Sequence, residues 1–172
     1  MKKFTGFWFT FSPESNKSLG KIMKDLADEF NQGKTFIPHL SFYGYVLLSP
    51  AQIKTVVNKL STLIKPFVVG TKGMHFDEPV HKTLFIETEV TESMRKAVEY
   101  MESEFGQEFV FKPHVSLIYK QDLPLEIRRK LSSEINIPQE VFVDSISYYN
   151  PPEGKQSARY FDSWPEPVRV EL

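Results

Sequence analysis

FIPHLSFYG occupies residues 36–44 and FKPHVSLIY residues 111–119. Each reads Phe, any residue, Pro, His, an apolar residue, Ser, then a further apolar residue. The two histidines, His39 and His114, stand 75 positions apart. Both open runs of aromatic and aliphatic residues, 39–48 and 114–120, that read as β-strands. A proline before each histidine suits the start of a strand, where no ladder donor is lost. Side chains alternate faces along a strand. His39 and Ser41 therefore share one face, with Leu40 and Phe42 on the other. Likewise His114 and Ser116 are opposed by Val115 and Leu117. The apolar partners can enter a core while the polar pairs face a cleft.

Working outward from the two phrases, the surrounding pattern also occurs twice. Residues 4–11 are aromatic and β-prone, and Pro13 ends that strand. Leu19, Ile22, Met23, Leu26 and Phe30 then recur at helical spacing over 14–32. After the first phrase, Ser49-Pro50 has the chemistry of an N-cap followed by a first-turn proline. Ile53, Val56, Val57, Leu60 and Ile64 line one side of that helix. A strand over 67–76 closes the first half. The second half predicts a strand at 83–89, a helix at 91–105 carrying Met94, Ala97, Val98 and Met101 inward, and the second phrase. A helix to about residue 135 and a strand at 141–149 follow. The tail, 158–172, reads as one or two further strands around Pro165 and Pro167. The same order of elements twice is the signature of an internal duplication, roughly 1–80 and 81–172. The expected fold is α+β: one bilobal domain of two pseudo-symmetric lobes. Each lobe is an antiparallel sheet with helices on its outer face, and the two enclose a central cleft.

Composition narrows the chemistry. There are 21 Lys and Arg against 22 Asp and Glu, a net charge of -1, so no general field draws in a nucleic acid. The absence of cysteine removes disulfides, thiolate nucleophiles and Cys-ligated zinc, and fits a reducing compartment. The opening MKKFTGFWFTFSPES has lysines and an apolar run, but its threonines and lack of a small-x-small site favour a first strand over a leader. No apolar stretch reaches the ~18 to 20 residues of a membrane span. A cytoplasmic protein with no membrane partner is expected, and a monomer, since the duplication already supplies two halves.

Two imidazoles and two hydroxyls facing one cleft suit phosphodiester hydrolysis. One group must accept the proton of the attacking oxygen and another must protonate the leaving oxygen, on opposite sides of phosphorus. Histidine titrates near neutrality and fills either role. Serine hydroxyls can donate to the non-bridging oxygens where charge accumulates. The imidazole nitrogens would then stand roughly 6 to 8 Å apart. The scheme requires no metal or cofactor. A His-ligated zinc hydrolase would need further protein ligands, and no HExxH or similar spacing exists.

In these residues the chain resembles the 2H phosphoesterase superfamily, defined by two His-x-Ser/Thr motifs, and within it most resembles the cyclic phosphodiesterase and 2′-5′ RNA ligase-like group. Tyr119, five residues past His114, and Trp8, in the GFWF opening, add to the likeness. The resemblance implies a bilobal fold and metal-independent opening of 2′,3′-cyclic nucleotides, or related sugar cyclic phosphates, to 2′-phosphates. His39 and His114 would be the acid–base pair, and Ser41, Ser116 and Tyr119 would bind the phosphate. His114 is favoured as base and His39 as acid, although the sequence leaves the two roles open. Serine in the first motif, where family members often have threonine, keeps the hydroxyl donor.

Further candidates follow from position. Strict alternation turns Tyr119 away from His114, so it reaches the cleft only if the strand ends or bulges after Leu117. Parity puts Tyr43 beside Ser41. Trp8 and Phe85, on the leading strand of each half, are candidate platforms for a base. Lys82, Lys112 and Arg159 are candidate phosphate contacts, each more simply read as solvated. His75 and His81 lack the phrase and read as surface or loop residues. Two other functions stay in view: a 2′-5′ linkage phosphodiesterase or ligase-like enzyme on oligonucleotides or RNA ends, and a nucleotide-binding module without catalysis. The first calls for a salt-sensitive groove that the sequence does not display.

Overall fold

A computed structural model describes residues 1–172. In chain order the elements are β1 (Lys3–Phe11), α1 (Pro13–Glu29), β2 (His39–Leu48), α2 (Pro50–Leu63), β3 (Phe67–His75), β4 (Leu84–Thr88), α3 (Glu92–Phe105), β5 (His114–Ile118), α4 (Leu125–Glu134), β6 (Glu140–Tyr149) and β7 (Val168–Glu171). Short 3-10 turns occupy Val80–Lys82 and Ala158–Ser163. The fold is α+β, and every strand pairing is antiparallel.

Local chemistry sets the helix ends. Ser12 accepts the Ser15 N–H, with Pro13 following in the first turn of α1. Ser49 and Gln52 form a reciprocal capping box on α2, with Pro50 at its first turn. Thr91 caps α3, which stops at Gly106 in the left-handed conformation, φ 65°. The tail departs from expectation over 158–163. That stretch is a 3-10 turn because Phe161 folds inward against Phe36 and Tyr119. Only the residues after Pro167 form a strand.

β1 pairs with β2 and β6, β4 with β5 and β3, β2 with β5, and β3 with β6. Exchanging β1 for β4, β2 for β5 and β3 for β6 leaves that set of pairings unchanged. The register obeys the same symmetry. Leu40 pairs with Val115, 75 positions on. Phe67 pairs with Val143 and Val68 with Phe142, and a shift of 75 interchanges the two pairs. The sheet thus has a pseudo-two-fold in its pairings, with β2–β5 and β3–β6 on the axis. The third strand of each half crosses over: β3 pairs with β4, and β6 with β1. Neither half therefore completes a sheet alone. β6 also carries β7.

The helices cover the outer face. α1 buries Leu19, Met23, Leu26 and Ala27, and α3 buries Met94, Ala97, Val98 and Met101. Leu40, Phe42, Val115 and Leu117 meet this layer from β2 and β5 and are almost wholly buried. The opposite parity of both strands is therefore left for the cleft. No helix is long and apolar enough to cross a membrane.

Candidate active site

His39, Ser41, His114 and Ser116 line one cavity of about 500 Å³. The two imidazoles are held in the same way. His39 Nδ1 is 2.7 Å from the carbonyl of Ile37, and His114 Nδ1 is 2.9 Å from that of Lys112. A carbonyl only accepts, so each Nδ1 carries the proton and each Nε2 presents a lone pair. Ile37 and Lys112 are again 75 positions apart. Burial, opposed by those carbonyl bonds, lowers both imidazoles from the usual 6.5 to about 4. His39 also feels the charge of His114, and His114 those of Lys82 and His81.

Cross-strand partners complete each side. Trp8 stands opposite Ser41 and Phe85 opposite Ser116. Trp8 stacks on His39 with centroids 3.8 Å apart, while Phe85 meets His114 edge-on at 5.4 Å. Trp8 is also 4.0 Å from the ring of Tyr149, on the strand flanking its other side. Trp8 lines the cavity wall, almost wholly buried against both rings, and supports His39. Phe85 lies in a neighbouring groove beside His114 rather than in the main cavity.

Both His strands bulge at equivalent places. Phe42 is the extra residue of β2 against β1, and Leu117, 75 positions later, that of β5 against β4. A bulge re-aims the following side chains. Tyr119, beyond the bulge and just past the end of β5, thereby lines the cleft, stacked on Phe36 at 3.9 Å. Burial raises the pKa of its phenol, so it remains a donor. The equivalent position in the first half is Gly44, which leaves that wall open toward Phe109. Tyr43 also lines the cleft, but its hydroxyl donates to the carbonyl of Gln107 at 2.7 Å.

The two serines differ. Ser41 is exposed. Ser116 is buried and donates to the carbonyl of His81 at 2.5 Å, so its proton must turn from that carbonyl before it can serve a phosphoryl oxygen. His81 is exposed in a short turn, as expected of a surface or loop residue, but that turn borders the cleft. Its 3-10 turn folds over the start of β4 and brings its ring 5.8 Å from that of His114. No local sequence signal marks it, because the turn is placed by its tertiary contact with Ser116. Lys82 and Lys112 line the cleft beside it. Arg159 is exposed and lies outside the lining, and His75 is 3.7 Å from Glu87.

Tyr45, Tyr149 and Trp164 were not singled out by the sequence and also form the wall. The Tyr45 and Tyr149 hydroxyls are hydrogen-bonded to each other, and Tyr45 reaches the carbonyl of Gln156 at 2.7 Å. Burial pushes Tyr45 up to about 12. Gly6 makes room for this pair, since a Cβ there would lie 2.7 Å from the Tyr149 ring. No three His, Asp or Glu side chains gather into a metal-holding group.

No protein-family model matches the chain, and no curated protein matches it in sequence. Solved structures do. Escherichia coli LigT complexed with 3′-AMP superposes with a TM-score of 0.60 at 12% identity, over 100% of this chain and 99% of that one. TT0787 of Thermus thermophilus gives 0.59 at 15% identity, over 98% and 94%. Usb1 of Kluyveromyces marxianus gives 0.50 at 10% identity, over 99% and 98%. These neighbours are 2H phosphoesterases. The protein thus shares the α+β fold of these structures, the 2H phosphoesterase fold.

Proposed function

We propose that the protein is a metal-independent phosphodiesterase that opens 2′,3′-cyclic nucleotides, or related sugar cyclic phosphates, to 2′-phosphates. One observation carries this reading: two imidazoles, fixed by equivalent carbonyls, present free Nε2 atoms to one cleft. Nε2 of His114 takes a proton from water as its oxygen bonds to phosphorus. The bond from phosphorus to O3′ breaks, and protonated His39 supplies the proton that O3′ requires. The 2′-phosphate remains. At neutral pH the empty site holds two neutral imidazoles, so the base is ready. The acid gains its proton with the substrate, whose negative charge favours the imidazolium. Ser41 and, once released from His81, Ser116 donate to the non-bridging oxygens, and the Tyr119 phenol is a further donor.

The test is turnover of the four 2′,3′-cyclic nucleotides in excess EDTA, with product regiochemistry read by phosphorus NMR and His39→Ala as control. Formation of 2′-phosphates that vanishes in the variant is expected. Turnover lost on chelation, or retained in the variant, would overturn the mechanism.

A further inference from the structure

The two ends of the cleft are built alike but charged differently. Beyond His114 opens a second groove of about 340 Å³ that shares Lys82, Lys112 and His114 with the main cavity. Phe85 and Phe111 form its apolar wall, and Lys72 and Glu87 stand at its far side. Lys72 is 3.5 Å from Glu87, which also faces His75, so their charges largely cancel. Lys82 and Lys112 have no carboxylate within ion-pair distance. Lys82 is half-buried with its ammonium 5.4 Å above the Phe85 ring. The backbone of Lys112 holds His114, which ties the position of that lysine to the reacting centre.

The pseudo-two-fold supplies an internal control. The equivalent position beyond His39 is lined by Phe36, Ile37 and Pro38, where the His114 side has Phe111, Lys112 and Pro113. There the tail contributes Phe161, Trp164 and Glu166 to the wall of a groove of about 370 Å³, in which Lys34 is accompanied by that carboxylate. Thr10, the counterpart of Glu87 in register, is buried in a hydroxyl cluster with Ser145 and Ser147 at 2.8 and 2.9 Å. One end thus sets its one lysine beside a carboxylate. The other has two ammonium groups without a carboxylate partner, and an aromatic wall. A mononucleotide cyclic phosphate, held between the histidines, has no second anion to use them.

We infer that the groove beside His114 is a subsite for a second phosphate of the substrate, one sugar removed from the phosphorus under attack, gripped by Lys82 and Lys112. This rests on the proposed reading of the histidine centre. The preferred substrate is then a nucleotide bearing a further phosphate, either a 5′-phosphate or the internucleotide link of an oligonucleotide end. Phe85 and Phe111 provide the apolar contact for the adjoining sugar or base. The near-zero net charge of the chain conceals this arrangement, because the two lysines are 30 positions apart and meet only in the fold.

The experiment compares kcat/KM for three substrates: adenosine 2′,3′-cyclic phosphate, its 5′-phosphorylated form, and a dinucleotide ending in the same cyclic phosphate. Each is measured with the wild type and with Lys82→Gln, Lys112→Gln and the double variant. A charge-assisted phosphate contact predicts at least a tenfold preference for a substrate with the second phosphate, and loss of most of that preference in the double variant. Gain with the 5′-phosphate alone identifies a terminal phosphate; gain only with the dinucleotide identifies a chain. Calorimetric binding of the matching 2′-phosphate products is measured in parallel. For the two-phosphate product the log–log salt dependence should be steeper by about 0.7 per contact. Equal kcat/KM for all three substrates, or a preference unmoved by the double variant, overturns the subsite while leaving the proposed hydrolysis intact. No turnover of any substrate, with the product preference still present and lysine-dependent, overturns the hydrolysis and leaves the subsite standing.

Discussion

The imidazole of His39 lies flat on the indole of Trp8, 3.8 Å between centroids and 18° from parallel, and Trp8 is in turn backed by Tyr149. This stack explains why His39 is the more deeply buried of the two histidines: its open face has been replaced by an aromatic one. Replacing Trp8 by Phe keeps a ring but shortens the stack, at a cost of about 0.5–1.5 kcal/mol. Readmitted water should move His39 from about 4 back toward its ordinary 6.5. Histidine proton NMR against pH measures this directly. An unmoved His39 titration in a folded Trp8→Phe protein would show that the indole does not set the imidazole's environment.

How much of this arrangement could be read from the chain depends on which contacts are local. The strand parity of His39 and Ser41 against Leu40 and Phe42 is local and matches the structure. So do the cap at Ser49, the inward face of α3 and the 75-residue offset. The crossing of β3 and β6 between halves was not legible, because a strand's periodicity gives its face and not its neighbour. Tyr119 turns on a single extra residue, Leu117, whose bulge exists only relative to β4. His81 belongs to the cleft through one hydrogen bond across 35 positions. The tail read as strand at Tyr160 and Phe161 because aromatic residues favour strands, but there Phe161 serves as a plug.

In the proposed reaction His114 activates the attacking water and His39 protonates O3′, so each should be indispensable. His39→Ala and His114→Ala are each expected to lower kcat on the order of 10² or more, with circular dichroism unchanged. Both imidazoles sit near 4 in the empty site, so the singly protonated enzyme is most populated on the acid side of neutrality. The kcat/KM profile, which reports the free enzyme, should be a bell centred there. The kcat profile should lie at higher pH, since the bound phosphate favours the charged imidazole. A single sigmoid rising to high pH would exclude the two-histidine mechanism.

Ser41 and Ser116 should separate function from stability. Ser41 is exposed, so Ser41→Ala is expected to cost ~2 to 4 kcal/mol of transition-state stabilisation and nothing in the urea midpoint. Ser116 is buried and ties the His81 turn to β5. Ser116→Ala leaves that carbonyl without its donor, and about 1–3 kcal/mol of stability should go with it. Equal urea midpoints for the two variants would mean that the Ser116–His81 bond carries no weight in solution.

Gly6 offers a remote handle on the same stack. A methyl group at position 6 would stand 2.7 Å from the Tyr149 ring and 3.0 Å from that of Tyr45. Gly6→Ala must therefore displace Tyr149, and with it the backing of Trp8. Activity is expected to fall while substrate affinity changes little, because the imidazole is mispositioned while the serine hydroxyls proposed to bind the phosphate stay in place. A Gly6→Ala enzyme with wild-type kcat would show that the tyrosine pair has room to move without reaching His39.

Burial of two neutral imidazoles also fixes the sign of an acid effect on stability. In the unfolded chain each histidine titrates near 6.5, and in the folded protein near 4. Between those values the unfolded chain binds more protons, so stability is full above about pH 6.5 and declines as pH falls toward 4. Carboxylates add their own dependence at the acid end, so the imidazole share is read by difference. The urea midpoint of the wild type should drop more steeply from pH 6.5 to 4 than that of the His39→Gln, His114→Gln double variant, whatever the offset between them at neutrality. Parallel curves would mean that both rings are hydrated in solution. In that case water, rather than the Trp8 and Phe85 walls, would set their protonation, and the acid-shifted optimum of kcat/KM would disappear with it.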